Sequence, residues 1–190
     1  MKRLGAILIL AGALTGCDSS STTDALSGRR SDESTGMREH PSVAVYAAVV
    51  RQLVTVDHTF GEGTSPFRRI YIIGGVVEGA AQARVRRRGP DRPFTADVKK
   101  GMLRALADLP EVEFVANPAR VLDERGGCTR VRSGGALISL GPISRRPDGK
   151  ATVPTGLFFA CLGGQWLTYV LERTDSGWRI VGTTGPVAIA

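Results

Sequence analysis

Residues 165–173 carry apolar side chains on both alternating sets: Leu167, Tyr169 and Leu171 on one, Trp166 and Val170 with Thr168 on the other. Successive side chains of a strand point to opposite faces of its sheet, so a strand apolar on both must be covered twice. The pattern predicts a curved sheet, covered on one face and partly enclosed on the other. Residues 151–162 read as the preceding strand, with Gly163-Gly164 as a two-residue hairpin loop whose glycines tolerate positive φ. Asp175-Ser176-Gly177 reads as a further turn before a closing strand over 178–182, so the last third is expected to be an antiparallel meander.

Upstream, the chain alternates helix and strand patterns. Ser42 follows Pro41 and is the expected cap of a helix in which Val45, Tyr46, Val49, Val50, Leu53 and Val56 recur at three- and four-residue spacing. Its many β-branched residues need tertiary support. Residues 68–77 read as a strand, with Gly74-Gly75 marking a bulge or a close backbone approach. Thr95 is placed to cap a second helix, Asp97 complements its dipole, and Met102, Leu103 and Leu106 form an apolar stripe. Leu109-Pro110 is the expected stop. Residues 112–115 and 135–143 are further strands. The predicted class is α+β, a curved antiparallel sheet packed on one or two helices.

The amino terminus sets the boundaries. Lys2 and Arg3 precede an uncharged apolar run from Leu4 to Leu14, then Leu14-Thr15-Gly16-Cys17 and the polar Asp18-Ser19-Ser20. A membrane-spanning helix needs about 20 apolar residues, more than this run holds. The segment resembles the lipobox signal of bacterial lipoproteins. That resemblance implies a signal peptide over 1–16, a lipid on the Cys17 thiol, and residence at the extracytoplasmic face of a cell membrane. Residues 17–41 are rich in Ser, Thr, Gly and charge, too poor in apolar side chains to offset ordering, and are expected to be a tether about 25 Å in typical span. A single extracytoplasmic domain is expected over 42–190. Loss of Lys2 and Arg3 lowers the formal charge from +7 to +5, short of a dedicated nucleic-acid binder.

The stretch 169–185, YVLERTDSGWRIVGTTG, resembles the closing hairpin of NTF2-like domains, in which an aromatic strand, an Asp/Gly turn and a Trp-x-Ile/Val strand finish a cone. The resemblance implies a cone-shaped architecture; helix, strand, helix and meander fit a cystatin-like sheet wrapped around a helix equally well.

The residues that could carry chemistry are few. With Cys17 assigned to lipid, Cys128 and Cys161 remain as an even pair in an oxidising compartment, which predicts a disulfide. A zinc site from Cys128, Cys161 and His58 lacks a fourth ligand and any close-spaced pair. His58 is the one histidine beyond the tether and follows Asp57 after the first helix. No Gly-x-Ser-x-Gly elbow accompanies it, and adjacent residues cannot orient one another as a triad requires. Glu111, Glu113, Asp123 and Glu124 read as solvated, and neither Gly126-Gly127 nor Gly134-Gly135 opens a helix as a phosphate loop would. Arg84, Arg86, Arg87 and Arg88 form a basic patch suited to anionic lipid or wall polymer, without interleaved aromatics for nucleic acid.

Two functions follow. One is a non-enzymatic binding or interaction module, with Tyr71, Trp166 or Tyr169 near a ligand or envelope-protein surface on the concave sheet. The other is a small enzyme using the same cone, with Asp57, His58 or Tyr71 as acid or base. No motif calls for a metal or a cofactor.

Overall fold

The computed structural model describes residues 40–58, 65–83 and 87–190. Cys17, the tether up to residue 39, Arg84 and Arg86 lie outside the described residues. The order is α1 (Pro41–Thr55), β1 (Arg69–Val76), β2 (Arg92–Pro93), α2 (Ala96–Ala105), β3 (Glu111–Val115), β4 (Leu122–Arg125), β5 (Cys128–Val131), β6 (Ala136–Leu140), β7 (Ser144–Arg145), β8 (Ala151–Ala160), β9 (Gly163–Thr174) and β10 (Gly177–Ile189).

The fold is α+β, with two helices and a large curved, unclosed sheet, consistent with a cone-type architecture of the NTF2-like kind. The main sheet runs β10-β9-β8-β6-β1-β2, with β3 also on β1 and β7 on β8. The expected wholly antiparallel pairing needs correction, because β1 is parallel to both β3 and β6. Parallel neighbours require a crossover, and α2 supplies one between β1 and β3. The meander β8-β9-β10 is antiparallel, as expected.

α1 begins at Pro41, whose fixed φ suits the first helical position. Its cap is His40, which accepts from the Ser42 backbone, so the capping role expected of Ser42 moves two residues back. Eight of its residues are buried, from Val43 to Val54. They occupy one broad arc of the helix, with Ala44, Ala48, Arg51, Gln52 and Thr55 on the other side, and this burial outweighs the modest helix propensity of its valines. Val56 is 45% exposed because it lies past the last turn.

Thr95 caps α2 by accepting from the Val98 backbone at 3.3 Å. Met102 and Leu106 are buried, but Leu103 is 41% exposed, one residue off the stripe. The helix ends at Ala105, before the expected Leu109-Pro110 stop.

The glycines of β1 act by close approach. A Cβ on Gly75 would lie 2.3 Å from the Arg92 carbonyl oxygen. This proximity lets β2 pair beside the register shift between Ile72 and Val76. Gly163-Gly164, by contrast, is not the hairpin loop. Cys161 and Leu162 make the turn, and both glycines lie in β9. Neither has positive φ. They are needed for space, since a Cβ would meet the Phe159 ring at 2.2 Å or the Trp166 ring at 2.3 Å.

Two layers flank the sheet. α1 and α2 cover the face bearing Ile70, Ile72, Ile138, Leu157, Leu167, Tyr169 and Leu171, with Trp178 and Ile180 packed at its margin. The opposite face carries Tyr71, Ile73, Leu137, Phe158 and Trp166 under Val77, Ala80, Val121, Leu122 and Val131. Its cover comes from a 3-10 turn (Pro118–Val121) and the β4–β5 hairpin. Asp123 and Glu124 lie in β4 opposite Arg130 and Thr129.

Candidate functional site

On the helix face, Asp57 follows α1 and its Oδ2 accepts from the Tyr169 hydroxyl at 2.6 Å and from Gln52 Nε2 at 3.1 Å. Tyr169 is 1% exposed. Burial, then the Asp57 hydrogen bond, push its pKa far above the ordinary phenol value, so it holds its proton and serves as a donor. His58 is buried too, with its ring edge-on to Phe67 at 6.3 Å between centroids. This side of the sheet is filled by helix side chains.

On the other face, one row crosses the sheet through Glu113, Tyr71, Leu137, Phe158 and Gly164. Trp166 is 2% exposed and packs over Gly156 and Gly164. Tyr71 borders an opening. A recess of about 560 Å³ is lined by Arg69, Tyr71, Glu113, Phe114, Asn117, Arg120, Arg132 and Ser133. Arg69 reaches the Tyr71 hydroxyl at 3.5 Å and forms an ion pair with Glu111.

A second recess, about 610 Å³, adjoins the first through Arg132 and Ser133. Its other walls include Pro66, Phe67, Asp123, Arg125, Arg130, Val131 and Phe159. Two further concavities, about 520 and 270 Å³, lie between α1 and β10 around Trp178. None of the four is lined by Asp57, His58 or Tyr169. The five pocket candidates therefore separate: Tyr71 borders an opening, Trp166 lies behind it in the covered layer, and Asp57, His58 and Tyr169 lie on the other side.

Cys128 and Cys161 form a disulfide with their α-carbons 5.0 Å apart, inside the range the bond allows. It joins the start of β5 to the β8–β9 turn and ties the hairpin down beside the second recess. Both thiols are thereby withdrawn from the zinc alternative. Among the described residues no group of three or more His, Cys, Asp or Glu could hold a metal, and no helix is long and apolar enough to cross a membrane.

The described part of the basic patch is engaged in ion pairs. Arg87 binds Glu124 and also donates to Thr129 Oγ1 at 2.9 Å, and Arg88 binds Asp91. On the hairpin side, the recess-lining cations without a carboxylate partner among the described residues are Arg120 and Arg132; Arg145 and Arg173, also without one, line the smallest concavity, where Arg145 lies over the Trp178 ring. Eleven residues separate Arg120 from Arg132, and the β4–β5 hairpin brings the chain back between them. Its signal was Gly126-Gly127, with φ of 58° and 76°, a two-residue turn between short pairing segments. Ser133 is the one non-glycine of positive φ, 58°, among the described residues.

No protein-family model matches the sequence, and neither a curated protein nor a solved structure matches it.

Proposed function

We propose that the chain is a membrane-anchored extracytoplasmic lipoprotein whose folded domain is a non-enzymatic binding module at the cell envelope. The basic start, the short apolar run and Leu14-Thr15-Gly16-Cys17 support the anchor. The Cys128–Cys161 bridge suits an oxidising compartment. The observation that carries the binding reading is the unequal cover of the sheet. Helices fill the face of Tyr169, whereas the face of Tyr71 ends in an open recess. Of the acid–base candidates Asp57, His58 and Tyr71, only Tyr71 lines that recess, without Asp57 or His58 as a partner there.

Mass spectrometry of the mature protein tests the anchor. A diacylglyceryl-modified Cys17 at the amino terminus is expected, and an unmodified Cys17 or a chain beginning at Met1 overturns it. Site-directed photocrosslinking on intact membranes tests the binding surface. A photoreactive side chain in place of Ala116, in the recess wall, is expected to capture a ligand or envelope protein that the same group at Leu103 does not. Equal capture at both positions refutes the assignment.

A further inference from the structure

Two recesses adjoin at Arg132 and Ser133, which line both. They differ in chemistry. In the first, the Arg69 charge is matched by Glu111, while Arg120 and Arg132 have no carboxylate within ion-pair distance among the described residues. A guanidinium is a planar fork of donors that stays charged, and the group that fits it is an oxyanion held by two parallel hydrogen bonds. The second recess lies at the margin of the helix-face core, where the partly buried Phe159 meets Phe67, 5% exposed, with ring centroids 5.6 Å apart, and the two give it an apolar wall. Its rim remains cationic, since the single carboxylate of Asp123 serves both Arg125 at 3.4 Å and Arg130 at 3.5 Å. A molecule spanning the Arg132–Ser133 ridge meets cations on one side and aromatic rings on the other.

We infer that the paired recesses form one site for an amphiphilic oxyanion, with a phosphate or carboxylate head between Arg120 and Arg132 and a hydrocarbon portion against Phe67 and Phe159. The inference rests on the binding-module reading and names its ligand class. Glu113 stands in the wall of the head-group recess and opposes the ligand's charge. Its neutralisation strengthens binding, the reverse of what a merely structural carboxylate would do.

The test uses the full-length protein in phosphatidylcholine nanodiscs, titrated calorimetrically at low salt with hexyl phosphate, inorganic phosphate and hexanol. Hexyl phosphate is expected to bind saturably and at least about tenfold more tightly than inorganic phosphate, because the chain buries methylenes as well. Hexanol, lacking the head, is expected not to bind. Arg120→Gln and Arg132→Gln each weaken hexyl phosphate about tenfold or more, the effect of losing one charge-assisted contact, and Arg88→Gln leaves it unchanged. Glu113→Gln tightens it several-fold. Both arginines are exposed in turns, so unchanged circular dichroism is expected of both variants and separates loss of contact from loss of fold. Nanodiscs containing phosphatidylglycerol distinguish the sources: a lipid head group displaces hexyl phosphate, and a soluble ligand leaves its affinity unaltered. Equal binding of hexanol, no saturable binding, or wild-type affinity in both arginine variants overturns the inference. If that occurs while crosslinking at position 116 persists, the binding module stands and only its ligand class falls.

Discussion

The two faces of the sheet are covered by different means, and the difference separates stability from opportunity. Among the described residues, twenty-two buried apolar side chains join on the helix face and eleven on the hairpin face. Two helices cover their side broadly, and Tyr46 locks α1 to the strands by donating to the Gly141 carbonyl at 3.0 Å. A lone two-stranded hairpin is marginal in water. This one is held at its edges, by the Cys128–Cys161 bond on one side and the Arg87–Glu124 pair on the other. A narrow cover stapled at its rim leaves space at the end of the sheet where Tyr71 lies. The solid side gives rigidity, and the side with the weaker cover has the room to bind.

Truncation probes the contrast most strongly. Leu53→Ala, in the last turn of α1 and fully buried, is expected to lower unfolding free energy by about 3–5 kcal/mol. Leu122→Ala, in β4 of the hairpin, should cost about 1–3 kcal/mol, since that smaller layer can relax into the cavity. Urea denaturation measures both, and equal losses would mean that the two layers are equally firm. Next comes the disulfide: Cys128→Ser with Cys161→Ser opens a 33-residue separation, and the chain-entropy model gives about 3–4 kcal/mol. Amide exchange should accelerate in β4 and β5 more than in α1, and uniform acceleration would contradict a rim staple.

Tyrosine chemistry offers a smaller test confined to the helix face. Tyr169→Phe leaves Asp57 with one of its two donors and is expected to cost about 1–3 kcal/mol. Burial also pushes the Tyr46 hydroxyl up to about 12. A raised folded-state pKa stabilises fully below the unfolded value of about 10 and loses that contribution as pH rises through the folded value. Stability should therefore fall between about pH 10 and 12, with phenolate absorbance from Tyr46 and Tyr169 appearing together with loss of circular dichroism. Absorbance from both in a chain still folded would show that the helix face is open to solvent. The least effect is expected at the surface. Arg51 holds the exposed Asp108 carboxyl below its ordinary range, yet Asp108→Asn should leave the unfolding midpoint unmoved because solvent screens such pairs.

The features that could be read along the chain were those encoded by near neighbours. The valine spacing of α1, Thr95 at the α2 cap, the meander and the pairing of Cys128 with Cys161 all appear in the structure. The alternation in β9 already implied opposite faces for Trp166 and Tyr169. The errors have physical causes. Gly163-Gly164 looked like turn residues because glycine serves both dihedral and steric needs, and only the Phe159 and Trp166 rings reveal which applies. The hairpin 122–131 was hidden because its segments are short and charged, with little alternation to notice. Arg84 to Arg88 drew attention by density, but density in sequence is not free charge in space: Glu124 and Asp91 engage the described members.

Local chemistry along the chain was enough for the helices, most strands, the disulfide partners and the demand for two covered faces, because these depend on periodicity, caps and composition. Only the tertiary structure decided which face stays open, that β1 takes parallel neighbours, and that Arg120 and Arg132 line the recess of Tyr71 without a carboxylate partner among the described residues. Those features depend on which distant segments meet, and the balance of contacts that selects a meeting is not written in any short window of residues.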